Sequence, residues 1–229
     1  MRWCFTILGL LWSLTAPLYA QPTQVPFVDQ AKKDPGFLEY RTKLIEAAKA
    51  RDTETVISLS DDEIHLSFGG DFGHDRFREF LEVPVENLSD EYKPEAPAMR
   101  DAIWGSLLET LELGGTFEPD GTFTAPYYWS ADLPDNFDAY TTFFVTGSRV
   151  ALRDGPSPNA NILARVSYAV VEFPLVFEER RSDWWLITIP GSDLCGYMHS
   201  DYLRANVDYR AGFSKESGEW KMTYFIAGD

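Results

Sequence analysis

Residues 209–226 hold two runs of strand-like character around a polar turn. Tyr209-Arg210-Ala211-Gly212-Phe213 leads through Lys215-Glu216-Ser217-Gly218-Glu219 into Trp220-Lys221-Met222-Thr223-Tyr224-Phe225-Ile226. Read as a hairpin, Trp220, Met222 and Tyr224 share one face, and Tyr209, Ala211 and Phe213 share one face of the partner strand. A two-stranded hairpin is marginal in water on its own. The remaining chain must therefore offer an apolar layer for this hairpin to cover.

The other end of the chain has a different character. Met1-Arg2-Trp3 is a short basic start, Cys4 to Leu14 is almost wholly apolar, and Leu18-Tyr19-Ala20 ends in a small residue before Gln21. The pattern predicts a secretory signal peptide over residues 1–20, since a membrane span needs about 20 apolar residues. The expected location is periplasmic or secreted. Without residues 1–20 only Cys195 remains, so no disulfide can form within one chain. Stability must then come from a core, for which 16 Phe, 11 Tyr and 7 Trp supply the material.

The formal net charge is −16, and one unit more negative without Arg2. Such a field repels phosphate backbones and anionic lipid, which argues against nucleic-acid and membrane-surface partners. Solubility is the plainest use for it.

The N-terminal half predicts helices with little sheet. Asp34-Pro35 has the form of a helix start, and Phe37, Tyr40, Leu44, Ala47 and Ala48 make an apolar stripe behind it. Asp52 is placed to cap a second short helix through Leu59. Ser60-Asp61-Asp62-Glu63 has the form of a capping box, but Ile64 to Phe68 alternates with period two, which predicts a turn followed by a strand. The longest helix is expected from about Pro97 to Leu113, with Met99, Ile103, Leu107 and Leu111 in register, and Gly114-Gly115 stopping it. Phe117 and Phe123 flank Pro119-Asp120-Gly121, a small hairpin. Within Gly69 to Asp75, the side chains Asp71, His74 and Asp75 suit a divalent ion, or Asp71 or Asp75 simply caps the helix carrying Phe77, Phe80 and Leu81. The structural use is preferred, and no metal is assigned.

The second half contains an apolar alternation that ends on Arg153 and opens into Asp154-Gly155-Pro156-Ser157. Pro156 fixes its own φ and Gly155 relieves the crowding before it, so the chain leaves the strand on a preset path. Arg153 has a long stem and a planar head able to bond the carbonyls of this arc. Three further blocks follow in order: Asp183-Trp184-Trp185-Leu186-Ile187, Gly196-Tyr197-Met198 and Ser200-Asp201-Tyr202-Leu203. Together, over about residues 140–204, they resemble a bacterial SH3-like (SH3b) domain. There a strand-Arg-Gly-Pro-Ser turn, a Trp strand, a Gly-Trp-Val strand and a closing single helical turn follow one another. Residues 165–170 lack the Lys-Gly turn usual in that family. The resemblance implies a small barrel, complete by Leu203, that binds cell-wall peptide or an envelope protein, an analogy because folds host many functions. Tyr168, Trp184, Trp185 and Tyr202 are its candidate ligand-binding residues, as a groove for extended peptide, or else they fill the barrel interior.

Catalytic patterns are missing: there is no Gly-x-Ser-x-Gly, His-Glu-x-x-His or phosphate loop, and the SH3b resemblance implies that Cys195 and His199 bracket a strand rather than a helix start. The expectation is a non-catalytic exported binding or scaffold protein of the bacterial envelope, with no cofactor. The alternative is a small-molecule-binding or hydrolytic N-terminal domain targeted by the SH3b module. Nothing in the sequence speaks to oligomeric state.

If the barrel is complete by Leu203, the terminal hairpin needs another surface. Helices first and a closing hairpin last resemble the nuclear transport factor 2-like cone, in which helices cover a curved sheet. The fold class expected is therefore α+β. Residues 1–20 are a signal peptide, 21–139 an N-terminal α+β domain and 140–204 an SH3b domain. Residues 205–229 form a hairpin that packs back on the N-terminal domain.

Overall fold

A computed structural model describes residues 22–134, 137–173 and 183–228. The predicted signal peptide lies outside the described residues. Over these residues the chain is mixed α+β, with four α-helices and two sheets.

Helix α1 (Pro35–Ala50) starts as expected, the Asp34 carboxylate accepting from the Phe37 N–H at 2.9 Å. Helix α2 (Thr53–Ser58) is capped by Asp52 in the same way. The capping box at Ser60 does not form, because the Ser60 hydroxyl turns back to the Ile57 carbonyl at 2.7 Å. Strand β1 (Ser60–His65) begins there instead, four residues before the expected strand at Ile64. Its position is set by parallel pairing with the distant strand β12 (Glu219–Ile226), which local alternation cannot encode. Helix α3 (His74–Glu82) follows. Helix α4 (Ala96–Glu112) buries Trp104, Leu107 and Leu111, while Met99, expected on the apolar stripe, is 37% exposed. Gly114 ends that region at φ 70, where an added Cβ would lie 2.4 Å from the Val28 carbonyl oxygen.

Strands β2 (Thr116–Phe117) and β3 (Phe123–Ala125) make the expected small hairpin. Strand β11 (Arg210–Glu216) pairs with both β3 and β12, so the five-stranded order is β1-β12-β11-β3-β2. The terminal hairpin thus forms the middle of the sheet that the first half of the chain begins. One face carries the main core, where the Phe37 ring lies 4.2 Å from Phe123, 4.9 Å from Trp220 and 5.4 Å from Phe213.

The expected face of β12 holds only in part. Trp220 and Met222 are buried, but pairing slips between Gly212 and Phe213, leaving Thr223 as an extra residue. This bulge reverses the alternation, so Phe225 enters the core in place of Tyr224. Tyr224 lies on the other face across Gly212, where any Cβ would meet its ring at 2.0 Å.

The second sheet contains β4 (Thr142–Val145), β5 (Val150–Arg153), β6 (Ile162–Val166), β7 (Val170–Glu172), β8 (Trp184–Thr188), β9 (Cys195–His199) and β10 (Leu203–Ala205). Its order is β10-β4-β7-β8-β9-β5-β6, and it does not close into the expected barrel by hydrogen bonding among the described residues. Among the described residues two pairs of neighbouring strands in this order are each joined by a single register pair, β5 to β9 at Arg153–Tyr197 and β7 to β8 at Glu172–Thr188. Phe143, Leu152, Ile187 and Met198 are among its buried core residues.

A smaller cluster of Val25, Tyr127, Tyr128, Phe144 and Val170 lies where the two sheets meet, with Tyr128 stacked on Phe144 at 4.4 Å. The segment before α1 touches both sheets. The Val25 N–H reaches the Tyr168 carbonyl and the Val170 N–H reaches Thr23, while the Gln30 N–H reaches Gly115 and the Gly115 N–H reaches Val28.

Candidate functional site

The turn that opens β5 into β6 is built from side chains as much as backbone. The Arg153 Nη1 donates to the Ala160 carbonyl at 2.7 Å, the role expected of it. Asp154 adds a bracket that sequence reasoning missed, its carboxylate accepting from the Asn161 backbone N–H at 2.9 Å and side-chain amide at 2.8 Å. Asp and Asn seven residues apart across a Gly-Pro turn were the available signal.

Beside this turn lies a groove of about 420 Å³, lined by Arg149, Arg153, Arg165, Trp184, His199 and Tyr202 among others. Strand β5 lies along it, β8 contributes Trp184, β9 ends in His199, and the single helical turn Ser200–Tyr202 presents Tyr202, 46% exposed. The Trp184 ring meets His199 edge-on at 5.1 Å and lies 5.8 Å from the Arg153 guanidinium. His199 Nδ1 stands 3.3 Å from an Asp201 carboxylate oxygen. The Arg165 Nη1 donates to the Arg149 carbonyl at 3.0 Å, and Arg149 takes a left-handed φ of 55, rare for a residue with a side chain.

The four candidate aromatics do not share one groove. Trp184 and Tyr202 come together here. Trp185, next in an extended strand, points to the opposite side, its ring edge-on to Phe143 at 5.7 Å and Phe173 at 5.6 Å. Tyr168 lies in the cluster between the sheets, 6.3 Å from Phe27 and 6.4 Å from Tyr127. It has φ 45, the left-handed conformation that a glycine adopts more readily. The side of Trp185 away from the groove opens toward Glu109, Asp201, Arg204 and Asp208. Burial pushes the Glu109 carboxyl above its ordinary range; Arg204, ion-paired with it, opposes the shift, and Asp208 and Asp201 add to it.

No family model, curated protein or solved structure matches the chain.

The glycine-rich turn before α3 separates its three candidate ligands. Asp71 accepts from Arg76 Nε and the Ser67 hydroxyl, both at 3.0 Å. His74 Nε2 faces the Ser60 carbonyl at 3.4 Å and an Asp62 oxygen at 3.7 Å. Asp75 is fully exposed and 3.7 Å from Arg78. Neither aspartate caps α3, whose N-cap is Gly73 at φ 87 with no side-chain cap. Asp71 is held by Arg76 and Ser67, and Asp75 already lies inside the helix.

Proposed function

We propose that the chain is an exported, non-catalytic binding protein of the bacterial envelope, in which an SH3-like unit takes an extended segment of cell-wall peptide or envelope protein. The observation that carries this reading is the groove pairing Trp184 with the exposed Tyr202 beside the braced Gly-Pro turn. Flat aromatic walls beside polar heads are the recurring means of holding an extended peptide. The SH3-like reading is supported by chain continuity: β6 and β7 flank the order β7-β8-β9-β5-β6 and are joined by only Ser167 to Ala169. On this reading that unit is an insertion, since the strands on either side of it, β3 and β11, pair with each other. Cleavage after Ala20 would free the chain from its leader.

The test is retention of the protein on purified cell-wall sacculi and on immobilised envelope proteins. Trp184→Ala should lower retention tenfold or more on one of the two, as for a Trp anchor of an interface. Equal retention of wild type and Trp184→Ala on both would remove the groove from the function.

A further inference from the structure

Most described arginines outside the groove touch a carboxylate, although Arg100 donates to the Glu82 carbonyl and Arg210 donates to the Gly228 carbonyl and lies over the Trp129 ring. Arg41, Arg51, Arg76, Arg78 and Arg204 each meet a carboxylate. Arg149, Arg153 and Arg165, which line the groove together, meet none among the described residues. Arg153 and Arg165 each donate to a carbonyl, Arg153 retains a buried Nε with no hydrogen-bond partner among the described residues, and both Arg149 and Arg165 stand exposed. In a chain with 36 acidic against 20 basic residues, neighbouring carboxylates are abundant enough to have neutralised such a cluster. Among the described residues the groove is lined by one carboxylate, Asp201, which leans on His199.

We infer that the groove takes a carboxylate on its peptide ligand, with Arg149 and Arg165 as the ion-pairing heads and Trp184 and Tyr202 as the apolar wall. This rests on the binding function proposed above and names its chemistry. A guanidinium presents a planar fork that matches a carboxylate, and the bonds are charge-assisted. Three such heads around one recess make a local positive field inside a negative molecule. The overall charge of −16 still repels a long polyanion such as nucleic acid. An isolated carboxylate on a peptide enters without that penalty, so the two fields together select short-range acidity.

Carboxylates of cell-wall sacculi and of immobilised envelope proteins can be converted to neutral amides with carbodiimide and an amine, and retention measured before and after. The two matrices separate a wall source from a protein source. The expected result is that amidation abolishes retention on the matrix that binds. Arg149→Gln and Arg165→Gln should each weaken retention about tenfold, the loss of roughly one charge-assisted contact. Added salt should weaken the wild type more than either variant. Because both side chains are exposed, an unchanged melting temperature in these variants will show the effect to be local. Retention that depends on Trp184 but survives both amidation and the Arg149→Gln/Arg165→Gln double substitution would overturn the carboxylate while leaving the binding function standing. Failure of the wild type to be retained by either untreated matrix would overturn both.

Discussion

The five-stranded sheet is covered on one face by four helices and buries Phe37, Phe77, Phe123, Phe213 and Phe225 completely. The seven-stranded sheet is built of strands three to five residues long and leaves Ile162, Leu163 and Tyr202 between 43% and 48% exposed. The same contrast appears in the charges. Arg41, behind the first sheet, is buried and held by Asp29 through two bonds of 2.9 and 2.6 Å, whereas the arginines along the second sheet's groove meet no carboxylate among the described residues. The first unit also leaves aromatics exposed, Phe68 at 63% and Phe72 at 53%, so the clearer difference between the units is in the surroundings of their arginines. On the binding function proposed above, the groove for a ligand lies on the sheet with the shorter strands.

The sharpest way to break this comparison is to remove the hairpin that the first unit borrows from the end of the chain. Deleting residues 207–229 takes out the two central strands, so helices α1 to α4 should lose cooperative melting while amides of residues 142–172 keep their exchange protection. Circular dichroism and residue-resolved hydrogen exchange report both. Helices that still melt cooperatively would mean that the hairpin is not their support.

A smaller effect is expected from Arg153→Ala. It leaves the Ala160 carbonyl without its donor, at a cost of about 1–3 kcal/mol, and the loss should appear in the second sheet only. A denaturation midpoint equal to wild type would show that Asp154 and Asn161 hold the arc by themselves.

The smallest effect concerns Asp29. Burial opposes its charge, but the hydrogen bond from Arg41, helped by the Ala31 N–H, holds the carboxyl below its ordinary range. A carboxyl lowered on folding stabilises above its unfolded pKa, and that stability is lost as pH falls through the lower folded value. Asp29→Asn should therefore cost about 1 kcal/mol at neutral pH, since the pair is partly exposed, with the difference fading below about pH 4. A difference that persists undiminished at pH 2 would mean that shape, not charge, joins Asp29 to Arg41.

What could be read from the residues was what is settled within a few positions. Asp34 and Asp52 cap their helices because a cap needs only its next three residues, and Arg153 finds Ala160 because one rigid turn joins them. Ser60 and Thr223 were not legible in the same way. Ser60 begins a strand whose partner lies more than 150 residues away, and the extra residue at Thr223 is defined only by how β12 meets β11. The groove was half legible. Trp184 and Trp185 are chemically alike and sit on opposite faces of one strand, so alternation separates them without saying which faces ligand. The arginines went unnoticed as a set because Arg149 and Arg165 join Arg153 only once β5 and β6 pair.

The segment from Thr23 to Gln30 runs along one sheet and then the other, held to each by backbone bonds. It acts as a stitched seam. Rotation of one unit against the other would strain these four bonds, so the segment resists relative movement of the two sheets. A bulky fusion placed directly before residue 22 would load the Thr23–Val170 bond first, so the sheet that carries the groove would feel it before the helices did.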